Sequence, residues 1–244
     1  MTFRTVAFAA TTMALAFGGP AHAAEIKVLS TNALKSVLLD LGPKFEKSSG
    51  DKLAITWGTA AELTQQIAKG AAVDVAIVTD AGLDGLIKQG KLASSTPLAR
   101  SGIAVAIKKG APKPKLGSAD DFKALLLSAK SIAYVAAGAS GIYLKGVFER
   151  LGVADAIKDK LKAVGAAGEA VAKGEAEIGF TQVSEILPFE GADIGGMLPP
   201  DVQSFTSFSL GVQSKDSKPA AELVKFLKTP EAAAVFKAKG LEPL

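Results

Sequence analysis

The feature that most restricts this chain is the regular alternation of short apolar runs with helical patterns along nearly its whole length. A strand buried on both faces reaches a parallel neighbour only through a crossover helix, so this alternation points to α/β architecture on mostly parallel sheets. Ile26 to Leu29 reads as a first strand, and Ala33 to Lys47 as a helix with Leu34, Val37, Leu38, Leu41 and Phe45 on one face. Leu53 to Trp57 reads as a strand, Ala60 to Lys69 as a helix with Leu63 and Ile67 inward and Gly70 as its stop, and Val73 to Val78 as a third strand. A helix around Leu83 to Gln89 follows. Ser94 to Pro97 reads as a passage into a strand at Ile103 to Ile107, and Lys108 to Lys115, with Gly110, Pro112 and Pro114, as a loop.

Beyond that loop the pattern gives a helix at Ala119 to Leu127, a strand at Ser131 to Val135 and a helix at Ile142 to Leu151. A variable stretch rich in Ala, Lys and Gly then ends in a helix stopped at Lys173-Gly174. A strand at Glu177 to Thr181 and a helix at Ser184 to Leu187, closed by Pro188, come next. Phe205 to Val212 is an apolar strand, and Pro219 to Leu227 and Pro230 to Lys239 are terminal helices whose prolines sit in the first turn, where no N–H is needed. The expected organisation is a first lobe from residues 24–100 and 206–244 and a second lobe from residues 101–205, with the first crossing near Arg100.

The N-terminus stands apart. A basic start at Arg4, an apolar run from Val6 to Phe17 and the small-residue sequence Ala21-His22-Ala23 make a secretory signal over residues 1–23, with cleavage expected after Ala23. Thr11, Thr12, Gly18 and Gly19 break the run short of the ~20 apolar residues a bilayer span needs. The expected location of the mature chain is the periplasm.

Cleavage leaves about 220 residues, enough for two small domains with buried cores. It also removes the single histidine, His22, from a chain that has no cysteine. A disulfide framework, a His/Cys zinc site, a Ser-His-Asp triad and a thiol nucleophile are thereby excluded, and neither metal nor cofactor is expected. The net charge of +4 is spread over scattered lysines, the pattern of solvated helix faces; nucleic acid is not an expected partner.

Three strand-to-helix junctions carry small or hydroxylated residues: Ser30-Thr31-Asn32, Gly58-Thr59-Ala60 and Gly138-Ala139-Ser140-Gly141. Each places free backbone N–H groups and a positive helix end at the carboxyl edge of a sheet, where open α/β sheets bind ligands. Each also has a plain explanation as a cap. Thr59 with Glu62 three residues on is a capping box that can serve only its own helix.

Five stretches, in order, carry a resemblance. They are Val28 to Ser36, Trp57 to Leu63, Ala72 to Asp80 around Asp74, Gly174 to Gln182, and Lys225 to Ala232. Together they resemble the ModA-type, molybdate-binding periplasmic receptors over most of the mature chain. The resemblance implies a two-lobed type II periplasmic-binding fold with two hinge crossings, a small anion held between the lobes, and an inner-membrane ABC permease as partner for what is expected to be a monomer. By position, the family's ligand contacts fall on Asn32 and Ala33, Thr59 and Ala60, Thr79, Ser140 with Gly141, and Gln182, with Ser30 and Thr31 at the same first junction.

Two positions depart from the molybdate receptors, which place a serine where this chain has Ala33 and a tyrosine where it has Gln182. A donor to a charged group is worth about 1.5–3 kcal/mol, so the loss of two hydroxyls weakens a site for a naked tetrahedral oxyanion. Arg100, at the expected crossing, could instead grip a carboxylate through a bidentate pair; its plain reading is a surface arginine. Tyr143 could add a phenol donor or serve as a core aromatic, and Trp57 reads as packing.

Two functional classes follow. The first is the receptor of an ABC-type importer, binding an organic carboxylate or oxyanion unchanged. The second is a cofactor-independent isomerase of an unsaturated tricarboxylate, because proteins resembling this family include periplasmic aconitate isomerases; with no histidine, its base would be Glu62 or Tyr143.

Overall fold

In the computed structural model, which describes residues 23–244, the elements follow the expected alternation. All but the last residue of the signal segment lies outside the described residues. In chain order the first elements are β1 (Glu25–Thr31), a 3₁₀ turn (Asn32–Leu34) running directly into α1 (Lys35–Ser49), β2 (Lys52–Gly58), α2 (Ala60–Ala68), β3 (Val75–Thr79), α3 (Asp80–Lys88) and β4 (Ser94–Lys108). Next come α4 (Ala119–Ser128), β5 (Ile132–Tyr134), α5 (Ala139–Arg150), α6 (Ala154–Ile157), β6 (Leu161–Ala163), α7 (Ala167–Ala172) and β7 (Ile178–Gln182). The chain closes with β8 (Ala192–Met197), β9 (Phe205–Val212), α8 (Lys218–Leu227), α9 (Pro230–Ala238) and β10 (Glu242–Pro243).

The main correction concerns β4. Ser94 to Pro97, expected to be a passage, is instead the start of a 15-residue strand that continues through Lys108. Its first part, Ser94 to Gly102, pairs antiparallel with β9, and its second, Ile103 to Ile107, with β7, so one strand belongs to both lobes. Pro97 is accommodated at a register irregularity between Pro97 and Ala99, where a missing N–H costs no ladder bond. The variable stretch holds α6, β6 and α7; the short helix after β7 is a 3₁₀ turn at Val183–Glu185; and β8, paired with β4, forms where the sequence pattern gave no element.

In the first lobe β1 pairs in parallel with β2 and β3, and β3 pairs antiparallel with β9. One face of this sheet is covered by α1, α8 and α9, where Phe45 meets Phe226 edge to face at 5.5 Å, and the other by α2 and α3 through Leu63, Ile67, Leu83 and Leu86. In the second lobe β5 lies in parallel between β6 and β7. Phe122, Phe148 and Phe180 fill one side, and the small residues Ala104, Ala106, Ala133, Ala167 and Ala170 let α7 lie close on the other.

The crossings are tied by side chains. Gln203, just before β9, accepts from the Ile103 N–H at 2.9 Å and donates to the Ile103 carbonyl at 3.0 Å, locking one crossing to the other. Outside them, Arg100 pairs with Glu242 at 2.7 Å and lies 4.8 Å from the centre of the Phe205 ring.

The start of α5 is set by one glycine. A Cβ on Gly141 would lie 2.1 Å from the Val135 carbonyl oxygen, backbone that cannot yield, so only glycine lets α5 begin this close to the end of β5. Gly85, inside α3, would meet nothing within 4 Å. Gly141→Ala is therefore expected to destabilise the protein by about 1–3 kcal/mol, whereas Gly85→Ala should stabilise it by about 0.5–1 kcal/mol. Denaturant midpoints check both; equal effects would mean that the close approach does not constrain α5.

Candidate functional site

Between the lobes, at the carboxyl edges of β1, β2 and β5, lies a small pocket of about 30 Å³. Thr31, Asn32, Ala33, Thr59 and Ala60 line it from the first lobe, Val135, Gly138, Ala139, Ser140 and Gly165 from the second, and Phe208, Gln182 and Glu185 complete the wall. Asn32, Val135, Gly165 and Glu185 also line a wider chamber of about 530 Å³, so the pocket and the chamber share a wall.

The three helix starts differ in what they leave free. Thr59 forms a complete capping box: its hydroxyl accepts from the Glu62 N–H at 3.2 Å, and Glu62 Oε2 accepts from the Thr59 N–H at 2.9 Å. The helical run from Asn32 into α1 and the start of α5 have no side-chain cap, with Thr31 and Gly138 at their cap positions. A helix leaves its first four N–H groups without intrahelical partners. Two uncapped starts, one from each lobe, therefore bring donors and positive dipole ends to one pocket.

The electrostatics are those of neutral donors. Among the described residues no Lys or Arg lines the pocket, and its one titratable wall residue is Glu185. Burial pushes the Glu185 carboxyl up from the ordinary 4.5; the Thr181 hydroxyl, which donates to it at 2.5 Å, and the Gln182 N–H partly offset this. Among the described residues, no group of three or more His, Cys, Asp or Glu is placed to hold a metal ion.

Of the residues expected from sequence, Thr31, Asn32, Ala33, Thr59, Ala60, Ser140 and Gln182 line the pocket. Gln182 contributes less than expected. In the amide orientation that satisfies every neighbour, its nitrogen donates to the Ser101 and Gly102 carbonyls at 2.7 and 3.2 Å and its oxygen accepts from the Thr206 hydroxyl at 2.9 Å. The side chain binds the two crossings together.

Five expected residues are absent from the pocket wall. Ser30 is buried in β1, and the Thr79 hydroxyl caps α3 by accepting from the Gly82 N–H at 3.3 Å. Gly141 acts through its close approach to Val135. The Tyr143 hydroxyl donates to the Gln203 carbonyl at 3.2 Å while its ring packs on the second-lobe core. Arg100 lies outside the pocket, where its Nε and one Nη hold Glu242 Oε2. Glu62 is corrected as a base: the Thr59 N–H and hydroxyl lower its pKa and engage its carboxyl in the cap.

Sequence reasoning missed Glu185. Its only signal was an acidic residue three positions after Gln182, inside what read as an ordinary helix.

The architecture is a two-lobed type II periplasmic-binding fold with two hinge crossings and the pocket between its lobes. Residues 26–242 match the family model described as bacterial extracellular solute-binding protein, and the chain belongs to that family. It is 33% identical to an aconitate isomerase from Pseudomonas sp over 90% of this chain and 88% of the relative. It is 30% identical to the molybdate-binding protein ModA of Azotobacter vinelandii over 90% of both chains. The solved periplasmic molybdate-binding protein of Azotobacter vinelandii superposes with a TM-score of 0.71 at 22% identity, covering 88% of this chain and 98% of that one.

Because burial raises its pKa, Glu185 binds its proton more tightly folded than unfolded. The folded state keeps that advantage below the ordinary 4.5 and loses it as pH rises through the raised value. Glu185→Gln, which cannot ionise, is expected to gain stability relative to wild type as pH rises above the ordinary 4.5, the gain levelling off once pH has passed the raised value. Denaturant titrations across that range check it; a pH-independent difference would place the carboxyl in water.

Proposed function

We propose that this chain is a periplasmic solute-binding protein that closes its lobes on a small organic carboxylate and presents it to an inner-membrane ABC permease. The observation that carries the reading is the meeting of two uncapped helix starts, one from each lobe, at a single enclosed pocket. Each helix end favours an anion by about 0.3–1 kcal/mol at exposed sites and up to about 2 kcal/mol where partly buried. Closure supplies both ends at once. The periplasmic location and the permease rest on the signal segment and on the family.

A carboxylate fits better than a tetrahedral oxyanion. Ala33 offers no hydroxyl, the Gln182 amide is engaged at the crossings, and the pocket adjoins a chamber of about 530 Å³ that a bare oxyanion leaves empty. In thermal-shift titrations of the mature chain, citrate and the two aconitate isomers should stabilise it, by about 2.7 kcal/mol at 100 times the dissociation constant. Tungstate and sulfate should have little effect; stabilisation by these alone would return the site to oxyanions.

One observation favours a second reading, catalysis in the same cleft: Glu185, with its raised pKa, lines both cavities, and the 33% identical relative is an aconitate isomerase. Burial raises the Glu185 pKa above the ordinary 4.5, the direction in which a carboxylate becomes a stronger base. Glu185 would take a proton from the methylene carbon of an unsaturated tricarboxylate, the C–H electrons would form the new double bond, and the old double bond would take the proton back at its far carbon. No oxidant or cofactor enters. If this chain is an isomerase, cis-aconitate in deuterated water acquires deuterium at its allylic carbon, and Glu185→Gln retains binding but loses exchange by about 100-fold or more. Binding without exchange in the wild type leaves the receptor reading alone.

A further inference from the structure

For a site that holds an anion, the pocket has an unexpected wall: its one titratable residue is an acid. Glu185 lines both the pocket and the wider chamber, and it keeps part of its surface open while Thr181 and Gln182 beside it are buried. Thr181 lines the chamber too, and its hydroxyl holds Glu185 Oε2 at 2.5 Å. The partners of the carboxyl are that hydroxyl and the Gln182 N–H, both neutral.

Neighbouring charges do not cancel it. The Asn32–Leu34 turn, packed against Val183–Glu185, carries no charged residue. From α7 comes Glu169, paired with Lys173 at 2.7 Å, and from α1 comes Lys35, exposed, with its ammonium 5.9 Å from the centre of the Trp57 ring. Arg100 of β4 is held by Glu242, and Lys108 lies at the far end of that strand beside Gly174. Lys239, at the end of α9 where Gly240 packs on Val183, pairs with Asp40 at 2.9 Å.

Two negative charges in one pocket repel, so an anion arriving beside a carboxylate favours its protonated form, as in a pair of carboxyls that share one site. Burial pushes the Glu185 carboxyl the same way before any ligand enters.

We propose that each anion entering this pocket brings one proton onto Glu185, so that the proton is a co-ligand and affinity falls as pH rises. Below the unliganded pKa the proton is in place and affinity is highest; between the unliganded and liganded values affinity falls by up to about tenfold per pH unit, and above them it levels off. The linkage rests on the receptor reading above and on an anion in the pocket, whichever anion that is.

Calorimetry with tricarballylate, a saturated tricarboxylate, in buffers of different ionisation enthalpy counts the protons taken up at each pH from about 5 to about 9. The titration of the ligand itself is common to wild type and Glu185→Gln, so their difference isolates Glu185. Wild type should take up as much as one proton more than Glu185→Gln, and its affinity should fall relative to the variant's as pH rises; Glu169→Gln should behave as wild type. Thr181→Val, stripped of the hydroxyl that favours the ionised form, should move the largest uptake to higher pH, which tests the linkage even where Glu185→Gln fails to fold. Equal uptake in wild type and Glu185→Gln, or a window that Thr181→Val leaves in place, would overturn the proton linkage while the carboxylate reading stands. If tricarballylate does not bind and molybdate does, the carboxylate reading fails and the same proton count with molybdate decides the linkage. If neither binds, both fail.

Discussion

Backbone N–H groups at a helix start must find acceptors, and at two starts that meet in the pocket no side chain provides them. The run from Asn32 into α1 and the start of α5 point such groups at each other from opposite lobes, across a pocket too small for bulk water. Much of the remaining architecture serves that meeting. Parallel β1 and β5 end where these helices begin, Gly141 lets α5 start against the Val135 carbonyl, and β4 runs unbroken through both sheets so that the two edges face. The α2 start lies beside them but closes on itself through Thr59 and Glu62. It shapes the pocket while leaving fewer donors to it.

The distribution of charge gives the site its character. The permanent cation of the hinge, Arg100, is neutralised outside the cleft by Glu242, and Gln182 and Gln203 hold the crossings together with neutral hydrogen bonds. Inside the cleft the strong group is Glu185, acidic by type and kept toward its neutral form by burial. That raised pKa is what recommends Glu185 for the proton transfer of the second reading.

The fold was legible because its signals are local. Periodicity located the helices, first-turn prolines located α8 and α9, and small residues after strands marked the junctions, so Thr31, Asn32, Ala33, Thr59, Ala60 and Ser140 were found together. The losses are those of tertiary context. Pro97 read as a break because its register irregularity against β9 exists only in the sheet. The partner of Arg100 was hidden because Glu242, 142 positions away, becomes its neighbour only on folding. Glu185 carries no motif; burial and specific partners distinguish it, and neither is visible along the chain.

The claim that two uncapped helix starts hold the ligand is tested most directly by backbone amide resonances of the nitrogen-15-labelled mature protein during titration with tricarballylate. At saturation the account predicts that the largest shifts, downfield as charge-assisted hydrogen bonds form, fall on Asn32, Ala33, Ala139 and Ser140, with the amides of Arg100 and Tyr143 nearly unmoved. Shifts centred on Arg100 and Glu242, with the helix starts unmoved, would contradict it and move the ligand to the outside of the hinge.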